Sequence, residues 1–368
     1  MYSILISLRR RMFFVFSTGL VFGSAQPLTQ GEDGLQRNNT PMAVLPGQEI
    51  LYQPTIPLPL STAASVLPAV DPKTNPMEAY RNFKNMSNEE KAAFRQACFI
   101  NLNEIGDNGV VPADKLYIVI PYEQASAPRV KQIFIANPDK VAVVDFGDQT
   151  QTPDNFLQYN TTLKNIIFAD SQITKIGRGF LSDCTNLNQI DFSGLRNVVS
   201  IENGFLYHCN RLTSVDLFSL NNVTSIGDYS LSECGLTSVN LSPLNKVTSI
   251  GNYFLSGCPG LTSVNLSPLS KVTSIGDYFL SECGLTSVSL SPLSKVTSIG
   301  DHFLFFCTHL TSLDLSPLKN LTNIGCWFLR NCRRLVEINL SGLNKVESIG
   351  DCLSLIAIQQ KYIFLVNR

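Results

Sequence analysis

From Phe156 onward, apolar residues return in a fixed order. Leu-x-x-Val-x-Leu comes first, then Val-x-x-Ile-Gly, then Phe-Leu-x-x-Cys before the next Leu. The pair Ile-Gly, or its Ile-Glu variant, begins at Ile176, Ile201, Ile226, Ile250, Ile275, Ile299, Ile324 and Ile349, in steps of 24 or 25 residues. Cys follows eight positions later at Cys184, Cys209, Cys234, Cys258, Cys283, Cys307 and Cys332. The short steps have one cause: Cys234 and Cys283 are followed by a single residue before Leu, where the other copies have two. A diverged copy starts at Phe156, with Asn160 in the Cys position, and Val141 to Phe146 reads as a still earlier strand. A fixed period of this size predicts a solenoid.

Each unit needs its neighbours. In an extended segment Val264 and Leu266 point to one side, and Ser263 and Asn265 to the other. One unit cannot close a core, so units stack at the strand spacing of ~4.8 Å and bury Leu, Val, Ile, Phe and Cys in columns. Pro268 ends the strand, and Gly276 permits a bend that a side chain would obstruct.

Before the repeats the pattern is different. Residues 26–76 are rich in Pro and read as an extended linker. Ser87 with Glu90 forms a capping box ahead of helix-forming residues that run to Cys98. Leu116 to Ile120 and Val130 to Ile135 both read as strands from their β-branched and aromatic content. Residues 77–140 are thus expected to be a helix-containing unit or cap, 141–352 the solenoid, and 353–368 an atypical tail.

The unit Leu261-x-x-Val264-x-Leu266, Leu269-x-x-Val272-x-x-Ile275-Gly276, Phe279-Leu280-x-x-Cys283 resembles the treponemal-type, BspA-like leucine-rich repeat. The resemblance covers roughly Phe156 to Cys352. It implies a β-rich, curved, right-handed solenoid with a small α+β N-terminal cap. It also implies adhesion to host proteins or other cells. Two departures stand out. Phe279-Leu280 replaces the family's Ala-Phe before Cys. After Asp351 the expected Tyr-Phe-Leu becomes Cys352-Leu353-Ser354, leaving the last rung without an evident cap.

Charge narrows the function. Lys+Arg number 28 against Asp+Glu 29, a formal net charge of -1, which supplies no basic face for nucleic acid. Residues 1–25 read as an export signal: Arg9, Arg10 and Arg11 precede an apolar run, and Gly23 and Ala25 precede a cut before Gln26. The run is shorter than the ~20 residues a membrane anchor needs. No later stretch reads as a span, so the expected location is secreted or cell surface.

Candidate chemistry is sparse. His208, His302 and His309 are substitutions at repeat positions, and no catalytic or phosphate-cradling motif occurs. No enzyme, cofactor or metal site is expected. The Cys column reads either as a buried ladder of thiols or, in an exported chain, as disulfides; parallel side chains on stacked rungs suit a bridge badly.

Outward columns are the better binding candidates. The residue between the inward strand positions is Asp191, Asp216, Asn240, Asn265, Ser289, Asp314 and Asn339, with Ser214, Ser238, Ser263, Ser287 and Ser312 beside it. This surface would suit a protein or glycan on another cell or matrix, or would merely keep the solenoid soluble. A second column holds Tyr229, Tyr253, Tyr278, His302 and Trp327. Such a row offers hot spots or stacks on itself over the core edge. Lys246, Lys271, Lys295 and Lys345 form a row expected to be offset by Asp228, Asp277, Asp301 and Asp351. Sequons fall at Asn160, Asn222, Asn240, Asn265, Asn320 and Asn339.

Overall fold

A computed structural model describes residues 72–350; the export signal, almost all of the Pro-rich segment and the atypical tail lie outside the described residues. Every described residue belongs to one compact unit. No helix among them is long and apolar enough to cross a membrane.

Two helices come first. Helix α1 (Pro76–Lys84) starts on Asn75, whose side chain accepts from the Glu78 amide at 3.2 Å. Helix α2 (Asn88–Cys98) starts on the expected capping box of Ser87 and Glu90. Five parallel strands then form one sheet in the order β1 (Phe99–Asn101), β2 (Tyr117–Pro121), β3 (Val141–Asp145), β4 (Asn165–Phe168) and β6 (Gln189–Asp191). Strands from both sides of residue 140 therefore share a single sheet.

The expected strand Val130–Ile135 is instead helix α3 (Pro128–Ala136). Its buried residues are Val130, Ile133 and Phe134, at helical spacing, and Pro128 sits in the first turn, where its missing N–H does no harm. Spacing, not β-branched content, decides this segment.

Paired two-residue strands carry the ladder along the Ser-Ile-Gly positions. One sheet holds β5 (Lys175–Ile176), β7 (Ser200–Ile201), β8 (Ser225–Ile226) and β9 (Ser249–Ile250). Another holds β10 (Ser274–Ile275), β11 (Ser298–Ile299), β13 (Asn323–Ile324) and β15 (Ser348–Ile349). Strands return on the Leu-x-x-Val-x-Leu side as β12 (Ser312–Asp314) and β14 (Glu337–Asn339). The middle copies of that segment are not strands, contrary to expectation. Each turns early: Leu241 and Leu266 have ψ near zero (0° and 2°) and lead into one-turn 3-10 helices at Ser242–Leu244 and Ser267–Leu269. Rung-to-rung bonds persist there through Thr, as in Thr237 N to Thr213 O at 2.9 Å.

Opposite these segments the backbone alternates in hand. Tyr278, Leu280 and Glu282 have φ of 56°, 54° and 55°. Left-handed backbone costs a residue with a side chain about 1–2 kcal/mol. Hydrogen bonds in both directions offset that cost. Tyr278 N and Glu282 N donate forward to Asp301 O and Phe305 O, and Leu280 N donates backward to Phe254 O. Gly276 is needed for a different reason than a left-handed bend. A Cβ there would lie 2.6 Å from Asn252 Oδ1 and 2.8 Å from the Gly251 carbonyl carbon on the previous rung.

One continuous core runs from Ile100 to Val346, with Phe254, Phe279 and Phe303 stacked at 6.0 and 5.9 Å along its axis. A second core lies on the other side of the five-stranded sheet. There Tyr80 and Phe83 of α1 and Phe94 of α2 pack on Tyr117, Val143 and Ile167. The Tyr117 hydroxyl donates to Pro76 O at 2.6 Å, fixing α1 to the sheet.

Candidate interaction surface

The register of the sheet defines the outward column. Val119 pairs with Val143, Val143 with Ile167, and Ile167 with Asp191. Apolar residues occupy the column where the helices cover it, and polar ones begin at Asp191. The rest of the column is Asp216, Asn240, Asn265, Ser289, Asp314 and Asn339, and Asp314 pairs with Asn339.

Six of these side chains share a local duty. Each Oδ1 accepts from the amide two residues on: Asp191 from Ser193 (2.7 Å), Asp216 from Phe218 (2.9 Å) and Asn240 from Ser242 (3.0 Å). Asn265 accepts from Ser267 (3.0 Å), Asp314 from Ser316 (2.9 Å) and Asn339 from Ser341 (3.1 Å). These Asx turns launch the chain out of the rung, and they account for Asn-x-Ser at three of the sequons. In Asn240, Asn265, Asp314 and Asn339 the second polar atom makes no hydrogen bond among the described residues. The neighbouring column has no such duty: Ser214, Ser238, Ser263, Ser287 and Ser312 are exposed, and their side chains make no hydrogen bond among the described residues.

Helix α1 closes the near end of this surface. Arg81 lies 3.6 Å from Asp191 and 3.8 Å from Asp216. Lys84 reaches Asp170 at 3.2 Å and donates to Ser193 Oγ at 2.6 Å. Asp191, expected to face a partner, is thus buried beneath the chain's own helix. Burial alone would raise the Asp170 carboxyl, but Lys84 and Arg196 outweigh it and hold the group below its ordinary value.

The aromatic column stacks on itself. Ring centroids are 4.4 Å apart for Tyr229 and Tyr253, 4.3 Å for Tyr253 and Tyr278, and 4.0 Å for Tyr278 and His302. Trp327 lies 6.0 Å beyond His302 and is overlain by the Arg330 guanidinium at 3.6 Å. Inner ring faces are therefore covered by neighbours, leaving edges for contact. Burial holds His302 below the ordinary imidazole value, so it stacks as a neutral ring at pH 7.

Among the described residues, Asp228, Asp277 and Asp301 form no ion pair with the Lys row; Asp351 lies outside them. Asp277 Oδ1 accepts from Asp301 N at 2.8 Å, and Asn252 Oδ1 accepts from Asp277 N at 2.8 Å. Each bonds the backbone of the next rung. Lys246 and Lys345 instead donate to Asn222 and Asn320 at 2.7 and 2.9 Å. The ladder Cys are free thiols, not bridges. Each donates to a Leu carbonyl on the preceding rung, as Cys184 does to Leu157 at 3.2 Å.

A family model described as the BspA type leucine rich repeat region matches six copies over residues 136–246 and 224–353, more than half of the chain. The chain belongs to the BspA-type leucine-rich repeat proteins. Among curated proteins none matches. Solved structures similar to this BspA-type chain include the functional domain of InlJ from Listeria monocytogenes, which includes a cysteine ladder. It is 15% identical at a TM-score of 0.35, covering 63% of this chain and 48% of that one. The chain thus spans about half the length of that domain (48%). The T. pallidum leucine-rich repeat protein is 16% identical, with a TM-score of 0.26, over 66% of this chain and 81% of that one. A leucine-rich cell surface protein of Faecalibacterium prausnitzii is 16% identical, with a TM-score of 0.25, over 68% and 87%.

Proposed function

We propose that this BspA-type chain is an exported, non-enzymatic binding protein, displayed at or released from a cell surface. The outward face of the Leu-x-x-Val-x-Leu segments from Asn240 to Asn339 takes a protein partner there, in adhesion or host interaction. One observation carries this reading: the Ser238, Ser263, Ser287 and Ser312 column is exposed and has no bonding duty inside the fold. The Cys, Asp and Tyr columns are all engaged with neighbouring rungs. Beside the free column stand the unused polar atoms of Asn240, Asn265, Asp314 and Asn339, repeated at the rung spacing. Modest contacts repeated on a rigid ladder sum to useful affinity. Export rests on the Arg9–Arg11 and Gly23-x-Ala25 pattern.

A competing reading is an antigenic or structural array without a dedicated ligand. It is favoured by the near-identity of Ser225–Gly251 and Ser274–Gly300, which differ only at Ser230/Phe279, Asn240/Ser289 and Asn245/Ser294. The two separate in a binding comparison on extracellular-matrix extract. The full chain should retain a saturable partner that the double variant Ser263→Arg, Ser287→Arg loses. Equal retention by both proteins, or none by either, contradicts the binding reading.

A further inference from the structure

Between α1 and the first polar rungs lies a half-open cleft of about 410 Å³. Arg81, Lys84 and Asn85 line it from the helix, and Asp191, Asp216 and Phe218 from the strand face. Three observations say what it would hold.

The first is an orphaned acceptor. Asp191 is 4% exposed, and its Oδ1 already accepts from Ser193 N. Its Oδ2 is buried without a hydrogen-bond partner. Arg81 Nε stands 3.6 Å away, within ion-pair reach but too far to donate well. A buried carboxylate oxygen in this state needs a donor.

The second is charge balance. Arg81 pairs with Asp191 and Asp216, and Lys84 and Arg196 pair with Asp170 at 3.2 and 2.6 Å. Three cations face three carboxylates. A charged ligand would have to displace one of these partners, whereas a hydroxyl that enters as the half-exposed Arg81 side chain shifts can donate to Asp191 and accept from Arg81 or Asn85 with every charge still balanced.

The third is a residue that breaks the repeat. Phe218 stands where the other rungs carry Ser193, Ser242, Ser267, Ser291, Ser316 and Ser341; it lines the cleft, and the residue is 72% exposed. An unshielded aromatic face beside acceptors and donors matches a ring that is polar at its edge and C–H-bearing on its face.

We propose that this cleft binds a neutral hexopyranose at the end of a glycan. One hydroxyl donates to Asp191 Oδ2, and the sugar's C–H face lies on Phe218. The site is separate from the protein-binding strand face and does not depend on it.

The test titrates the full chain with methyl glucoside, galactoside and mannoside by saturation-transfer NMR and calorimetry, with tetralysine as the cationic competitor. At least one hexoside should bind saturably. Phe218→Ser, which restores the repeat residue on an exposed position, should weaken it by at least ~10-fold. Asp191→Asn, which keeps Oδ1 for the turn, should do the same. Ser263→Arg should leave sugar binding unchanged even if it abolishes protein binding. No saturable hexoside, sugar binding indifferent to Phe218→Ser, or tetralysine occupying the cleft in place of sugar would each overturn the proposal.

Discussion

Cys258 donates its thiol hydrogen to the main-chain carbonyl of Leu231 on the preceding rung, with Sγ and O 3.3 Å apart. Leu231 is one of the left-handed residues, with φ of 57°, and no backbone amide among the described residues reaches its carbonyl. The thiol fills a small space and supplies a donor where the alternating backbone leaves an acceptor. Cys234, Cys283 and Cys307 do the same for Leu206, Leu255 and Leu280.

Cys258→Ala should therefore destabilise by about 1–3 kcal/mol, since it strands a buried carbonyl and leaves a gap. Cys258→Ser keeps a donor and should cost less than the alanine variant. Urea denaturation of the three proteins checks this order, and equal midpoints would contradict it.

The same burial sets a pH limit. It pushes the Cys184, Cys258 and Cys307 thiols from 9.0 up to about 12. Below pH 9 these thiols are protonated in both folded and unfolded chains, and their contribution is constant. Above it the unfolded chain releases protons that the folded chain retains, so stability falls between about pH 9 and 12. The slope is about 1.4 kcal/mol per pH unit for each thiol. Urea midpoints should be level from pH 7 to the low 8s and drop steeply beyond, less so for Cys258→Ala. A level midpoint to pH 11 would rule the mechanism out.

The Phe column has one break. Ser230, fully buried, stands between Phe205 and Phe254 beside a cavity of about 10 Å³, with its hydroxyl donating to Gly227 O at 2.9 Å. The cavity lining of Ile201, Leu217, Leu220, Ile226, Leu231 and Leu244 matches in residue type the positions around Phe279 in the near-identical copy. Ser230→Phe adds a ring far larger than this gap and removes the donor to Gly227 O, so it should cost about 1–3 kcal/mol. Phe279→Ser should cost about 3–5 kcal/mol. Thermal unfolding reads both, and a gain of stability in Ser230→Phe would show instead that the neighbouring rungs part to admit the ring and complete the column.

Asp277 serves as an acceptor rather than as a charge. Asp277→Asn, which copies Asn252 in the same column, should be within about 0.5 kcal/mol of the parent. Asp277→Ala should cost about 1–2 kcal/mol, because Asp301 N loses its partner. Were the two variants equally destabilised, charge would be the relevant property.

The period made the solenoid legible, because eight copies of one pattern leave no other way to bury their apolar faces. Roles within the pattern were harder to read. A polar residue that bonds the next rung, as Asp277 does, and one that faces solvent, as Ser263 does, look alike in a single sequence. Asn265 faces solvent while its Oδ1 serves the turn of its own rung. The reach of α1 and α2 can be read in the column Val119, Val143, Ile167, Asp191, but α3 stands between β2 and β3 where the residue types suggest a strand, and this hides the register. Phe218 was visible as a departure from Ser at its position, and its meaning needed α1 beside it.

The most direct test of the interaction surface uses a photo-crosslinking amino acid at Ser263 and, separately, at Lys271, outside the Leu-x-x-Val-x-Leu segment of the same rung. With the partner retained from matrix extract, the expected result is a crosslinked product from position 263 and none from 271. Crosslinking from 271 alone would place the partner away from the serine column and contradict the account.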